Sequence, residues 1–369
     1  MNLGEDGRTS PQDMSDRAPA HRRWSLPIGR LFGIQIRVHA TFLLIVVLVW
    51  AGSTEPGGMG PANAMLWLAV VFVCITAHEL SHSVVASSRG IRVRAIVLLP
   101  IGGVSEMESM SESASDEFAV SVVGPLTSLA IAIAAGVVAV GAGSPLLPIR
   151  LFDGPLLPRI AWFNLVIAMF NLLPAFPLDG GRVLRSLLER TLDREQATHV
   201  AARAGRQLAA LMVVVGVLTN PWLMVIGLFV WFGATSEEAA TVVHARLSGR
   251  RARDLMVEAP VVVDASEPVE HLALRVRRTS QREFPVVEHG HYVGLASVYA
   301  CGEAPAGAVV GDIMNPEVPA VSPDASLEDE VLPVLAGGTY DALAVVDGGR
   351  VVGLLRTEDL ARFLRRRAA

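Results

Sequence analysis

Two histidines and a glutamate in residues 74–89 have the spacing of a metal-dependent hydrolase. His78, Glu79 and His82 form the pattern H-E-x-x-H. Positions i and i+4 of a helix share one face, so both imidazoles can bind one metal ion. Glu79 then lies beside the metal and can take a proton from a bound water. The pattern predicts a catalytic zinc site; the alternative for the bare motif is two hydrogen-bonded histidines at a helix end.

A catalytic zinc site uses three protein ligands, so the motif requires a third. Asp179 is the best candidate, because it follows a proline-broken apolar segment and precedes two glycines that let the backbone approach a metal closely. Two alternatives stay open. Asp179 can instead cap the helix that follows it. Cys74, one helical turn before His78, can reach a metal, although apolar packing suits it better.

The motif lies in a chain that is too apolar for an ordinary soluble protein. Of its 369 residues, 51% are hydrophobic and 18% are charged. Ionisable residues are costly inside a membrane and are usually functional there, which favours the metal-site interpretation. The net charge of −5 gives no electrostatic reason to expect nucleic acid as a partner. The two cysteines, Cys74 and Cys301, predict no disulfide framework.

Apolar segments predict a polytopic α-helical membrane domain of about six spans over residues 25–245, embedded in the lipid bilayer and preceded by a disordered tail, residues 1–24. Residues 91–108 predict a β-hairpin or re-entrant pair of strands, broken at Pro100. A helix rich in charged residues is expected over residues 183–206. The six spans are expected at residues 38–52, 62–88, 118–143, 160–173, 207–218 and 221–234.

The arginines predict the orientation of this domain in the cell membrane. The loops 53–61 and 219–221 contain no Lys or Arg, whereas arginines precede the first span and follow the second and the last. By the positive-inside rule, the N- and C-termini are cytoplasmic. The loop 144–159 agrees less well, because it carries Arg150 and Arg159. The arginines that set the prediction are Arg22, Arg23, Arg30, Arg37, Arg89, Arg92, Arg94, Arg246, Arg250, Arg251 and Arg253.

After Arg253 the sequence changes to an α/β pattern that occurs twice. Each copy has a proline-broken strand, the residues Asp-Ala-Ser before a helix, two strands joined by a turn, and a closing helix. Asp264-Ala265-Ser266 in the first copy matches Asp324-Ala325-Ser326 in the second. The repeat predicts two modules, residues 246–308 and 309–369, that pack as one body.

The paired motifs His78–His82 and Asn171–Gly180, the latter reading NLLPAFPLDG, resemble the site-2 protease family of intramembrane zinc metalloproteases. The repeats look like a pair of CBS modules, which one branch of that family carries. The resemblance implies one zinc ion per chain, held by His78, His82 and Asp179. It also implies that Glu79 is the general base that activates a zinc-bound water and later protonates the leaving amine.

Further residues match the family pattern and acquire roles by resemblance. Asn171 matches the polar residue before the proline, which can bind substrate backbone or a developing oxyanion; a hydrogen bond that restrains the helix break is its alternative role. Gly102 and Gly103 match the short strand region whose edge can pair with a substrate unwound from its helix. Gly124-Pro125 also fits the family, and is expected to kink or pack its helix.

The adenosine-binding pattern of CBS modules is incomplete in both copies. It ends in Gly, two apolar residues, Ser or Thr, two further residues and Asp. The first copy has Ser297 but Ala300 in place of Asp, and the second has Asp359 but Arg356 in place of Ser or Thr. Binding of an adenine nucleotide at Ser297 and Asp359 is one hypothesis. A cap that forms a homodimer or gates the substrate is the other.

Two functions from different classes fit these residues. The first is an intramembrane protease that cuts a single-span membrane protein, such as an anti-sigma factor or another membrane-bound regulator, and releases a cytoplasmic fragment. The alternative is a CBS-regulated transporter or channel in which His78, His82 and Asp179 line an ion path. Glu79 separates the two, because a protease requires its carboxylate as a base whereas a pore tolerates glutamine.

Overall fold

The computed structural model describes residues 24–54, 59–99, 102–107, 113–151, 153–276, 279 and 281–365. Two predictions lie outside these residues: the disordered tail, except for Trp24, and the break at Pro100. The described residues form two compact units, divided between Thr241 and Val242 within a long helix. Each unit is described by itself.

The first unit is a helical domain that carries a small sheet. Four of its helices, α2, α3, α6 and α7, are long and apolar enough to cross a membrane, whereas α1 and α4 are apolar but shorter. The predicted number of about six spans is therefore not confirmed, although the helical membrane architecture is. The helices are α1 Phe42–Ser53, α2 Pro61–Ser88, α3 Ala114–Gly141, α4 Leu156–Asn171, α5 Asp179–Leu188, α6 Arg194–Thr219 and α7 Pro221–Leu247.

The prediction of one charged helix over residues 183–206 was wrong. The chain forms α5, turns after Leu188, and begins α6 at Arg194. Asp193 is the N-cap of α6, and its carboxylate accepts a hydrogen bond of 2.8 Å from the backbone N–H of Gln196. From there α6 continues without a break through the start of the predicted fifth span. The N-cap aspartate therefore divides a stretch whose helix propensity is high on both sides.

A four-stranded sheet lies against α2, in the order β1-β2-β3-β4. The predicted hairpin over residues 91–108 is confirmed as the antiparallel pair β3–β4. The strands β1 and β2 were not predicted, because residues 25–37 look polar overall. The predicted first span also begins too early, at residue 38, since β2 continues to His39. The alternation of Ile34, Ile36 and Val38 was the available signal. The strands are β1 Ser25–Leu31, β2 Ile34–His39, β3 Val93–Leu99 and β4 Gly102–Met107.

The helix α3 packs against α2, α4 and α5 and is the centre of this unit. Its buried positions include a row of small residues, which lets the neighbouring helix backbones approach closely. Close packing of this kind brings the backbone of α3 within reach of side chains on α2. The row consists of Ser121, Gly124, Ser128, Ala132, Gly136 and Ala139.

The second unit confirms the α/β repeat. Its strands are β5 Val257–Glu258, β6 Val263–Asp264, β7 Glu283–Glu288, β8 His291–Ser297, β9 Ala320–Val321, β10 Ala342–Asp347 and β11 Arg350–Arg356. They form two sheets with the strand orders β6-β7-β8 and β5-β11-β10-β9. The hairpins β7–β8 and β10–β11 have matching registers, with Glu283 opposite Ser297 in one and Ala342 opposite Arg356 in the other. The strand β5, near the start of the first copy, pairs with β11 of the second.

The α-helices of this unit are α8 Val269–Val276, α9 Val298–Glu303, α10 Val310–Ile313, α11 Leu332–Ala336 and α12 Thr357–Arg365. Buried apolar side chains of both hairpins fill the space between sheets and helices, as in a two-layer α/β fold.

Candidate metal centre

The two histidines of the H-E-x-x-H pattern are buried on one face of α2. His78 and His82 lie one helical turn apart, and their ring centroids are 4.9 Å from each other. An α-helix brings residues i and i+4 together in this way whatever their surroundings. The predicted placement of the pair on one face of a helix is therefore what the structure has.

Asp179 is the first residue of α5 and not its cap, since Leu178 occupies the N-cap position. Its Oδ2 atom lies 3.2 Å from Nε2 of His78 and 3.3 Å from Nε2 of His82. One potential ligand atom from each of the three residues lies within 4.8 Å of the other two. Two imidazole nitrogens and one carboxylate oxygen are the donor set of many catalytic zinc sites, so the residues present fit a zinc ion.

Two glycines allow the tight approach of Asp179 to the histidines. A Cβ atom at Gly181 would lie 2.6 Å from the backbone nitrogen of Phe176, and one at Gly180 would overlap the carbonyl of Leu173. The loop that precedes α5 folds directly back over these positions. The segment Asp-Gly-Gly thus combines a candidate metal ligand with the two residues that permit its placement.

Each histidine is also held through its second ring nitrogen by α3. Nδ1 of His78 lies 2.9 Å from Oγ of Ser128, and Nδ1 of His82 donates to the carbonyl of Val120 over 2.6 Å. Such bonds fix the ring orientation and leave Nε2 directed toward Asp179. The sequence interpretation missed Ser128 and Val120. Ser128 lies four residues after Gly124, so the two share one face of α3, and this spacing was the signal that could have identified Ser128.

Gly124 closes one side of the site with bare backbone. A Cβ atom there would lie 2.8 Å from Nε2 of His78 and would overlap Nε2 of His82. The expected packing role of Gly124-Pro125 therefore takes a specific form. The absence of a side chain at position 124 leaves the space in which a metal ion would lie.

Glu79 lies against the strand β4. A Cβ atom at Gly103 would lie 2.9 Å from the carboxyl carbon of Glu79, and the hydroxyls of Ser83 and Ser105 join α2 to β4 over 3.1 Å. Gly102 is the first residue of the same strand, where it pairs with Leu99. The structure thus places the strand predicted to bind substrate beside the predicted general base.

Two residues considered at the sequence level have other partners. Cys74 is buried, and its sulfur accepts a hydrogen bond of 3.2 Å from Nδ2 of Asn164. The amide nitrogen of Asn171 donates to the carbonyl of Ile167, one turn earlier in α4, over 3.1 Å. That bond suits the restraint of the helix end, and a contact of Asn171 with substrate stays a prediction.

A buried ion pair joins α5, which carries Asp179, to α3, which hydrogen-bonds the two histidines of α2. Nε of Arg185 on α5 donates to Oε1 of Glu117 on α3 over 2.9 Å, and Nη1 of Arg185 lies 3.1 Å from Oε1 of Glu237 on α7. The guanidinium also lies 4.9 Å from the ring centroid of Phe176. Because α3 hydrogen-bonds both histidines and α5 carries Asp179, this ion pair links the two sides of the candidate metal centre.

The two candidate nucleotide-binding residues in the second unit already have partners there. The hydroxyl of Ser297 donates to Glu283 over 2.9 Å. Asp359 accepts two bonds from Arg356, one of 2.6 Å from Nε and one of 3.0 Å from Nη2. Arg356, which stands where the family pattern has Ser or Thr, thus binds the carboxylate considered for nucleotide binding.

The sequence matches known families over both units. Residues 66–149 and 154–215 match peptidase family M50, and residues 252–300 and 310–366 match the CBS domain. A zinc metalloprotease of Methanocaldococcus jannaschii is 33% identical over 345 residues, which cover 92% of this chain and 96% of the relative. Rip3 of Mycobacterium tuberculosis is 30% identical over 378 residues, 93% of each chain.

Among solved structures, a site-2 protease from Methanocaldococcus jannaschii is 36% identical and covers 58% of this chain and 95% of its own, with a TM-score of 0.45. The helical domain, the convergent His-His-Asp site and the sequence relatives define the class as a membrane-embedded zinc metalloprotease. The chain belongs to peptidase family M50, the site-2 protease family, and carries a C-terminal pair of CBS domains.

Proposed function

We propose that this protein hydrolyses a peptide bond within or near the transmembrane segment of a single-span membrane protein, for example an anti-sigma factor or another membrane-bound regulator. The observation that carries the proposal is the convergence of His78, His82 and Asp179 at the end of a membrane helix, with Glu79 beside them. Those three residues would hold one zinc ion per chain. When bound, zinc supplies a Lewis acid that polarises the scissile carbonyl and activates water.

Glu79 is proposed as the general base of this reaction. Its carboxylate takes a proton from the attacking water and later delivers it to the leaving amine. Ser128 and the carbonyl of Val120 keep the two imidazoles oriented throughout. The bare backbone of Gly124 lies against both rings, where a side chain would collide with them.

The strand β4 is the proposed site of substrate binding. Among the described residues it forms one edge of the sheet, and Gly103 places its backbone directly against Glu79. A peptide in a transmembrane helix has its backbone groups hydrogen-bonded internally, so it must unwind before it can be cut. Pairing with β4 would supply new backbone partners next to the base.

The proposed orientation places both termini in the cytoplasm, so that the cut releases a cytoplasmic fragment. The two arginines that agreed less well with this orientation have partners inside the protein. Arg150 lies 3.3 Å from Asp153, and buried Arg159 lies 4.0 Å from the ring centroid of Trp67 and donates to the carbonyl of Leu151. The orientation therefore rests on the other span ends, since the loops 53–61 and 219–221 contain no Lys or Arg.

The test compares Glu79→Gln with the wild type in proteoliposomes that contain a single-span substrate. Glu195→Gln is the matched control, because Glu195 lies exposed at the start of α6. We expect Glu79→Gln to retain zinc and lose cleavage, while Glu195→Gln retains both. Cleavage by Glu79→Gln at the wild-type rate would contradict the protease mechanism and favour the ion-path alternative.

The CBS pair is proposed to act as a dimerising or substrate-gating cap. The internal partners of Ser297 and Asp359 support this role over nucleotide binding. The molar mass of the purified full-length protein, measured by light scattering with and without residues 246–369, tests dimer formation. An unchanged monomer in both forms would contradict the dimer.

A further inference from the structure

The sheet of the membrane domain has one apolar face that α2 covers only in part. In antiparallel strands, residues opposite each other lie on the same face. Leu26 pairs with Val38, and Leu31 pairs with Ile34, so both leucines of β1 lie on the face that packs against α2. Over β2 that face is closed, since Ile34 and Ile36 are 3% and 4% exposed. Over β1 it is open: Leu26 is 70% exposed and Leu31 is 49% exposed.

The opposite face of the same hairpin is polar. Arg30 pairs with Gln35, and Ser25 pairs with His39. Arg30 is exposed at the surface. A hairpin with one apolar and one basic face has the character of an element that lies in the plane of a bilayer boundary, with its apolar side toward the acyl chains.

The connections of the sheet place it at the end of membrane helices. Only Ala40 and Thr41 separate β2 from α1, and four residues separate the end of α2 from the start of β3. The helix α2 is itself long and apolar enough to span a membrane, and its Phe72 and Leu80 cover the apolar face over β2 and β3. The medium that surrounds α2 near Phe72 and Leu80 therefore also contacts the uncovered part of the apolar face over β1.

The sequence of β1 makes a protein strand an unsuitable occupant. Pro27 has no N–H to donate to a new strand, and a bulge between Pro27 and Gly29 interrupts the regular ladder. Exposed aromatic side chains flank the strand at Trp24 and Phe32. Aromatic residues are enriched at membrane boundaries, where their rings remain partly hydrated. These features favour lipid over an added strand.

We propose that β1 is an interfacial anchor whose apolar face binds the acyl-chain side of the bilayer boundary next to α2, while Arg30 faces the headgroups and water. The exposed apolar patch formed by Trp24, Leu26, Leu31 and Phe32 is thereby covered by lipid. Because β1 and β4 belong to one sheet, the anchor holds the strand beside Glu79 at a constant depth in the membrane.

The test uses the full-length chain with Cys301→Ser, reconstituted in phosphatidylcholine–phosphatidylglycerol vesicles. An environment-sensitive NBD label is attached in separate proteins at Leu26→Cys, Leu31→Cys and Arg30→Cys. The native Cys74 is buried, and the chain without an added cysteine measures residual labelling. Quenching is recorded with aqueous iodide and with nitroxide lipids labelled near the headgroup or near the chain end.

We expect the labels at positions 26 and 31 to emit at shorter wavelength, to resist iodide, and to be quenched most by the nitroxide near the headgroup, about 5–10 Å into the boundary. The label at position 30, on the opposite face, should be quenched by iodide. Equal iodide quenching at all three positions would place the face in water and overturn the proposal. Protection at position 26 from both iodide and nitroxide would show a protein cover, and equal nitroxide quenching at positions 26 and 30 would contradict the two-faced arrangement.

Discussion

The hydroxyl oxygen of Ser128 on α3 lies 2.9 Å from Nδ1 of His78 on α2, fifty residues earlier in the chain. The contact orients one proposed metal ligand from a helix that contributes no ligand itself. Partners of this kind raise the basicity of the ring and keep its other nitrogen available. The geometry of the site therefore depends on α3 as much as on α2 and α5.

The first prediction concerns this contact. Replacing Ser128 with alanine removes the oriented partner of His78, and we expect zinc affinity to fall by about 10–100-fold. Zinc release into a chromogenic chelator measures the change in purified protein. Ser87→Ala, at an exposed position of α2, is the control and should match the wild type. Equal zinc affinity in both variants would mean that the Ser128 contact does not orient the ligand.

A second prediction uses the glycine that faces the metal centre. The methyl group of Gly124→Ala would overlap the ring nitrogen of His82, so we expect loss of bound zinc and of cleavage. Gly141→Ala, in the same helix, has open space around its Cβ position and serves as the control. There alanine should preserve activity and stabilise the helix by up to about 1 kcal/mol. Full zinc occupancy in Gly124→Ala would show that α3 moves away from the site at little cost.

The third prediction concerns the buried ion pair. Replacing Glu117 with glutamine leaves the Arg185 guanidinium without its main partner in a buried position, and we expect stability to fall by about 3–5 kcal/mol. Thermal unfolding in detergent micelles measures the loss. Breaking the exposed pair of Arg150 and Asp153 by Arg150→Gln should change stability by less than about 1 kcal/mol. A similar melting temperature for both variants would show that the Arg185–Glu117 pair does not stabilise the packing of α5 against α3.

A fourth prediction concerns the CBS pair. Because Arg356 holds the carboxylate of Asp359 through two hydrogen bonds, we expect the wild-type protein to show no measurable binding of AMP. Arg356→Thr restores the family pattern and removes the two shorter hydrogen bonds to Asp359, so this variant should gain AMP binding by calorimetry. Arg362→Thr, which removes a longer contact of 3.3 Å to the same carboxylate, is the control. Tight AMP binding by the wild type would overturn this interpretation and support the nucleotide hypothesis.

The chemistry of the site was accessible from the sequence. His78, Glu79 and His82 were recognisable because helical spacing alone places i and i+4 on one face. Asp179 was recognisable because a carboxylate beside two glycines at a broken helix end suits a metal ligand, and the structure places it within 3.3 Å of both histidines. The β3–β4 hairpin and the repeated α/β modules followed from local pattern as well.

Packing over long distances in the chain decided the rest. Whether Ser128, Gly124 or Val120 approaches the histidines depends on how α3 packs against α2, which no local pattern specifies. The pairing of Arg185 with Glu117 joins residues 68 positions apart. The open face over β1 exists because α2 covers only part of the sheet. By itself the sequence determined which residues can do chemistry, since residue type and helical spacing are local properties; tertiary structure decided which groups orient them, since that depends on contacts between distant segments.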